Sequence, residues 1–350
     1  MTTMRLLTLA AGIGVLSLAT AAYAATPRQT AGPEGYHVSK TLPLPGTGGW
    51  DYLTGDPANR RLYISHGNEV LVLNMDTQAV VGTIADLHGT HGIAISDKDG
   101  HGFITNGGNA TITEFDIHSL AKLKEIPAPK DVDGIIYDPA TDRIFAFCGD
   151  ANQAIAVDAK TGATAGTIDL GGGPEFGASD GRGHIFNVLE DKSEILDIDA
   201  HTLKILGRFP LAPCEGPSGV SIDAAHHRVF AGCHSGVVAI VNTDNGKVIA
   251  TPKIGSGIDA SRFEPSTQLL FTSQGDGTIT VIHEDNPNQF TEVGNITTES
   301  GARTMEIDPK THTIFTVTAK YGPRPAAAPG GRRSRPPMIP GSFHLLVITK

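Results

Sequence analysis

The sequence is poor in aromatic residues (6%), has a single tryptophan and three cysteines, and carries too little base for its acid, 27 Lys and Arg against 37 Asp and Glu. A formal net charge of −10 repels a polyanion, so a nucleic-acid partner gripped by its phosphates is excluded. Charged residues make up only 18%, too few for coiled coil. Its 42 glycines are too many for long helices, where each costs roughly 1 kcal/mol relative to alanine. With 22 prolines they still amount to only about 18% of the chain, and a hydrophobic share of 39% can build a core, so low-complexity disorder is excluded as well. No Gly-x-Ser-x-Gly elbow and no glycine-rich phosphate loop is present. What survives is an all-β chain with many turns. Its length suggests about two domains, a weak guide for β architectures.

The first segment reads as an export leader. Arg5 precedes the apolar stretch Leu6 to Leu18, and Ala22-Tyr23-Ala24 supplies small residues ahead of Ala25. This order predicts a signal peptide over 1–24, a flexible segment over 25–35, and a periplasmic or secreted product. Gly12, Gly14 and Ser17 loosen the run and no basic stop signal follows, which argues against a membrane anchor. No later run approaches a spanning helix, so no membrane span is expected after cleavage. Removing 1–24 takes away Arg5 alone among charged residues, moving the net charge from −10 to −11.

Self-comparison exposes a repeat. A turn-forming acidic or polar residue recurs at Asp56, Ser96, Asp138, Asp180, Asp223, Glu264 and Asp308. Each is followed by an apolar run with one aromatic, at Tyr63, Phe103, Phe145, Phe186, Phe230, Phe271 and Phe315. Successive aromatics lie 40, 42, 41, 44, 41 and 44 residues apart. In the third copy, Gly134–Tyr137, Arg143–Phe147, Ala154–Val157 and Thr164–Ile168 read as strands separated by Pro-, Gly- and Asp-rich turns. Four short strands per copy, repeated seven times in tandem, predict one seven-bladed β-propeller over 36–350. Ile84, Ile126, Ile168, Phe209, Ile254 and Ile296 are expected in one register of the outer strands. Counting back 42 residues from Ile84 gives Leu42, within Tyr36 to Leu42. That N-terminal strand should complete the last blade beside Phe343 to Thr349 and so remove an exposed edge. A closed ring has no need to oligomerise, and a monomer is expected.

The blade pattern, and Phe103-Ile104-Thr105-Asn106 in particular, resembles the YVTN-repeat propellers, the exported YncE-like members most closely. The resemblance covers about residues 36–350 and implies a secreted or periplasmic seven-bladed protein with no assigned catalytic motif. Trp50-Asp51 is the sole Trp-Asp pair, unlike WD40 repeats, and one tryptophan cannot dock every blade as in quinoprotein propellers.

In such a ring, the loops before the innermost strands share one face around the channel. They carry Trp50, Asp51, His88, His91, Asp131, Asp133, Glu175, Glu215, Asp259, Arg262 and Arg303. Like charges in a narrow mouth raise one another's pKa or recruit a cation. Three readings stay open. These groups are solvated loop tips; or they bind a cation or a small polar ligand; or they serve a metal-assisted hydrolase of the propeller lactonase type. A divalent metal would draw on His88, His91, Asp131, Asp133 and Glu175, imidazole with carboxylate favouring a transition metal and carboxylates alone calcium. No histidine–carboxylate spacing specifies an activated water, so a binding or protein-interaction module is expected ahead of an enzyme. His226-His227 lies on the opposite face and reads as a solvated turn.

Cys214 precedes the first strand of the fifth copy and Cys233 ends its second, so antiparallel pairing predicts a Cys214–Cys233 disulfide with Cys148 free. Three reduced, buried cysteines are the alternative. A Pro-, Gly- and Arg-rich insertion over 322–341 is either a lid or partner-binding arm, or simply a tolerated loop.

Overall fold

A computed structural model describes residues 32–323 and 336–350. The predicted leader and the four arginines of the insertion (324, 332, 333 and 335) lie outside the described residues. Of the segment expected to be flexible, Pro33–Gly35 form one turn of 3-10 helix.

The described chain is a seven-bladed β-propeller of four-stranded antiparallel sheets. Strands Val132–Asp138, Arg143–Cys148, Gln153–Asp158 and Thr164–Asp169 make the third blade, from the channel outward. The repeated aromatic occupies the third position of every second strand, from Tyr63 in Arg61–His66 to Phe315 in Thr313–Thr318. All seven are at most 3% exposed. Second and third strands are covered on both faces, so they read as near-continuous apolar runs. The outer strands are half exposed and alternate (Lys204–Pro210).

The core is divided into seven clusters, one between each pair of neighbouring blades. The cluster joining last blade to first combines Phe315, Val317, Leu345 and Val347 with Leu53, Leu62, Ile64 and Leu71. Backbone pairing closes the same seam: His37–Pro43 runs antiparallel to His344–Thr349 as the outer strand of the seventh blade, with Leu42 opposite Leu345. An ion pair adds a third tie. Arg60, in the first blade's turn, donates from Nη1 and Nη2 to both carboxylate oxygens of buried Asp308, at 2.7 and 2.5 Å.

Ile254 departs from the expected register. The fifth blade's outer strand ends at Ala250, and the backbone N–H of Val238 donates to Pro252, the residue at Ile254's expected place. Pro252 has no N–H to return, so the ladder breaks and Ile254 falls two residues on. There its N–H donates to Gly236, as Leu170 does to Asn152 and Leu211 to Ser193. The ends of the insertion are pinned by bonds from Gly322 N–H to Pro337 and from Ile339 N–H to Lys320, both 2.8 Å.

Candidate functional site

Each of the first five innermost strands opens with a residue paired to the end of its second strand, followed by a register shift. Trp50 pairs with His66, Thr90 with Asn106, Val132 with Cys148, Pro174 with Leu189 and Pro217 with Cys233; Ile258 and Gln274 do the same in the sixth blade. A bulge turns the following side chain out of the ladder. In this protein it yields one residue per blade at the same level: Asp51, His91, Asp133, Glu175, Ser218 and Asp259. Arg303 holds the equivalent place before Met305–Asp308: its carbonyl accepts from Ser273 as that of Asp133 accepts from Thr105.

Five of the seven form an ion-pair belt across the mouth. Nδ1 of His91 lies 2.7 Å from Asp51 Oδ2 and 3.6 Å from Asp133 Oδ1. On the other side of Asp51, Arg303 Nη2 is 3.6 Å from its Oδ1, and Arg303 Nε donates to Asp259 Oδ2 at 2.5 Å. A bond from Arg303 Nη2 to the Trp50 carbonyl (3.2 Å) fixes the guanidinium. Asp133, His91, Asp51, Arg303 and Asp259 therefore alternate in sign. The carboxyl of Glu175, on the fourth blade, has neither a hydrogen bond nor an ion pair among the described residues.

The partly dry setting moves the titrations. The hydrogen bond that His91 donates to Asp51 holds the imidazole protonated, its pKa raised to about 9 against the opposing effect of burial. Burial, then the charge of Asp133, pushes Glu175 up to about 8. Burial outweighs the pull of Arg303 and raises Asp259 to about 6, and burial with the neighbouring Asp51 raises Asp133.

Beneath the belt, Tyr52 of the first blade stacks on Phe176 of the fourth, centroids 4.6 Å apart, so the two rings meet across the channel. A cavity of about 290 Å³ lies on their far side, lined by Ile95, Ile135, Tyr137, Arg262 and Glu306 among others. Tyr52, Phe176 and Glu306 belong to the channel wall and were not singled out from the sequence. The signal was there: each stands one or three residues from a belt residue, at the blade spacing.

Several expected mouth residues sit elsewhere. Trp50 is 4% exposed, packed against Phe343 and Tyr321, and reaches the mouth only through its carbonyl. Arg262 lies three residues deeper than Asp259 and pairs with Glu306 at 3.3 Å in the lower cavity. His88 is exposed at a peripheral pocket with His66 and Glu69, and Asp131 is exposed and accepts from the N–H of Asp150. Of the five residues expected around a metal, only His91 and Asp133 come together. Asp51 joins them, and one ligand atom from each lies within 4.8 Å of the others. A metal there would have to take Nδ1 of His91 from Asp51.

Cys214 and Cys233 are disulfide-bonded, with Cα atoms 5.6 Å apart. Cys148 is free and buried, and burial, with Asp131 and Asp133 adding to it, pushes its pKa up to about 12.

No family model and no curated protein matches the sequence. Solved structures similar to it include U3-55K (12% identity, TM-score 0.72, 89% of this chain and 99% of that one) and the RRP9 WD40 repeats (12%, 0.73, 91% and 99%). A chain of Kuenenia stuttgartiensis hydrazine synthase is also similar (15%, 0.69, 78% and 93%). At such identities the likeness shows the propeller fold. Among the described residues, no helix is long and apolar enough to cross a membrane.

Proposed function

We propose that this chain is an exported, monomeric propeller of the YVTN type, acting as a binding module that takes a cationic group at its channel mouth. The observation that carries this is Glu175. Its carboxyl stands half-buried opposite the belt with no donor of its own, while the belt supplies two cations for three carboxylates. A group bearing a positive charge on a partner protein or small molecule completes that arrangement, with Asp133 next to it. Binding to protein partners is in keeping with a propeller seen in the mitotic checkpoint complex, a fold-level likeness at 14% identity. The leader-like order of residues 1–24 supports a periplasmic or secreted location.

Binding is favoured over metal-assisted hydrolysis because His91 is engaged by Asp51 through Nδ1 and held cationic, which suits a counter-ion better than a base. Calorimetric titration with putrescine tests the reading, with Ca²⁺ and Zn²⁺ as separate arms. Binding of the diamine that Glu175→Gln weakens is expected. No diamine binding, or binding indifferent to Glu175→Gln and Asp133→Asn, refutes it. Zn²⁺ binding abolished by His91→Ala, with zinc-dependent lactone turnover, would establish the hydrolase instead.

A further inference from the structure

On the face opposite the mouth, four of the seven innermost strands end in a turn built on one pattern. The strand's last acid accepts a hydrogen bond from the side chain three residues on: Asp56 from Asn59, Asp138 from Thr141, Glu264 from Thr267 and Asp308 from Thr311. In the fifth blade that third residue is His226, whose Nδ1 lies 2.5 Å from Asp223 Oδ2.

A second exception meets the first. The residue after the regular third-strand positions donates its N–H back to the preceding hairpin. Met75, Ile117, Ala159 and Ala200 do so in the first four blades, as do the half-buried Thr243 in the fifth and Glu284 in the sixth. Those four are buried and apolar, at most 3% exposed. Glu284 buries a carboxyl in the same place, its side chain 1% exposed, with Oε1 3.3 Å from His226 Nδ1. Neither of its oxygens accepts a hydrogen bond. Nearby Arg228 does not serve them, since it donates to Pro287, His226 and His227 carbonyls and to Asn288 Oδ1. The fold does not need this carboxyl, because the other blades do without one, and burying it beside the like charge of Asp223 is costly.

We propose that Asp223, His226 and Glu284 form a divalent transition-metal site between the fifth and sixth blades. One ligand atom from each lies within 4.8 Å of the others. Two carboxylates and one imidazole suit Zn²⁺ or its neighbours in the series rather than calcium. Zinc bonds of about 2.0–2.2 Å in a tetrahedron hold ligand atoms roughly 3.3–3.5 Å apart. The 3.3 Å between His226 and Glu284 already has that spacing. The 2.5 Å contact of His226 with Asp223 must open, and the imidazole, 41% exposed, has room to turn and leaves the site an entrance. The site is separate from the mouth and does not depend on its ligand.

The test uses full-length protein purified without an affinity tag and stripped with chelator. Zn²⁺ is titrated by calorimetry and Co²⁺ by its visible absorption, beside melting curves with and without metal. One equivalent is expected to bind and raise the melting temperature. Glu284→Met, which restores the residue type of the first blade, should fold and lose the metal-dependent increment. His226→Ala should weaken binding more than about 100-fold, since loss of even an outer-shell partner costs roughly 10–100-fold. Asp133→Asn should change nothing. Absence of a stoichiometric site, or one that survives in Glu284→Met, overturns the proposal. Loss of the site in Asp133→Asn but not in Glu284→Met would also overturn it, by placing the metal at the mouth.

Discussion

Replacing Arg60 by alanine removes the ion pair that ties the first blade to the last. Both carboxylate oxygens of Asp308 lose a charged donor, and the carboxyl, fully buried, cannot turn to water. The bonds from Thr311 Oγ1 (2.7 Å) and Lys310 N–H (3.1 Å) remain, so the charge is not stranded. Breaking a buried pair from one side costs about 3–5 kcal/mol, and hydrogen bonds to a charged group are worth roughly 1.5–3 kcal/mol. Since Arg60 keeps 16% of its surface and Asp308 keeps two donors, we expect about 3 kcal/mol. Urea unfolding at pH 7 reads this as a fall in midpoint at unchanged slope. Asp76→Asn is the control, because Asp76 contacts the same guanidinium from solvent, and it should leave the midpoint in place. The pH dependence gives a second reading. Burial alone would raise the Asp308 pKa, but the bonds from Arg60, then Thr311, bring it down to about 2. A depressed carboxyl stabilises the native state fully above its unfolded value, near 3.9, and that stability disappears as pH falls toward 2. Arg60→Ala should therefore flatten the acid limb of the stability profile. If its midpoint matches that of Asp76→Asn at pH 7, the closure argument is wrong.

Deleting residues 25–45 should lower the melting temperature and promote association, since His344–Thr349 would become an unpaired edge; an unchanged melting curve speaks against the closing strand. Cys214→Ser should cost about 3 kcal/mol in oxidised protein, the value for a closed loop of this size, and nothing after reduction. In non-reducing peptide mapping of native protein, Cys214 and Cys233 should appear linked and Cys148 should resist alkylation, a thiol pushed up to about 12 and buried. Diamine affinity at the mouth should rise between pH 7 and 9 as Glu175, with its pKa near 8, loses its proton. Glu175→Gln should reduce that rise to the share left by His91, which also loses its proton toward pH 9.

The blade architecture was legible because packing repeats. One aromatic must fill the same interblade gap seven times, so Tyr63 through Phe315 mark the second strands at near-constant spacing. Leu42 was found by the same arithmetic. Ile254 was misplaced because a hydrophobic row ignores hydrogen bonding, and Pro252 takes the register position without a donor. The mouth was half legible. Proximity in sequence drew in Trp50, His88, Asp131 and Arg262, whereas a bulge selects one residue per blade, and only the 40- to 44-residue spacing of Asp51 through Arg303 carries that information. The Asp223–His226–Glu284 cluster was invisible, because Glu284 arrives from another blade, 58 residues beyond His226.

The stacked rings of Tyr52 and Phe176 join the first and fourth blades directly, so opposite sides of the ring touch across its centre. The core clusters otherwise join neighbouring blades, so a displacement carried by that packing has to travel round the circumference. This stack is a chord across that circle: a shift of Tyr52 reaches Phe176 without passing through the second and third blades.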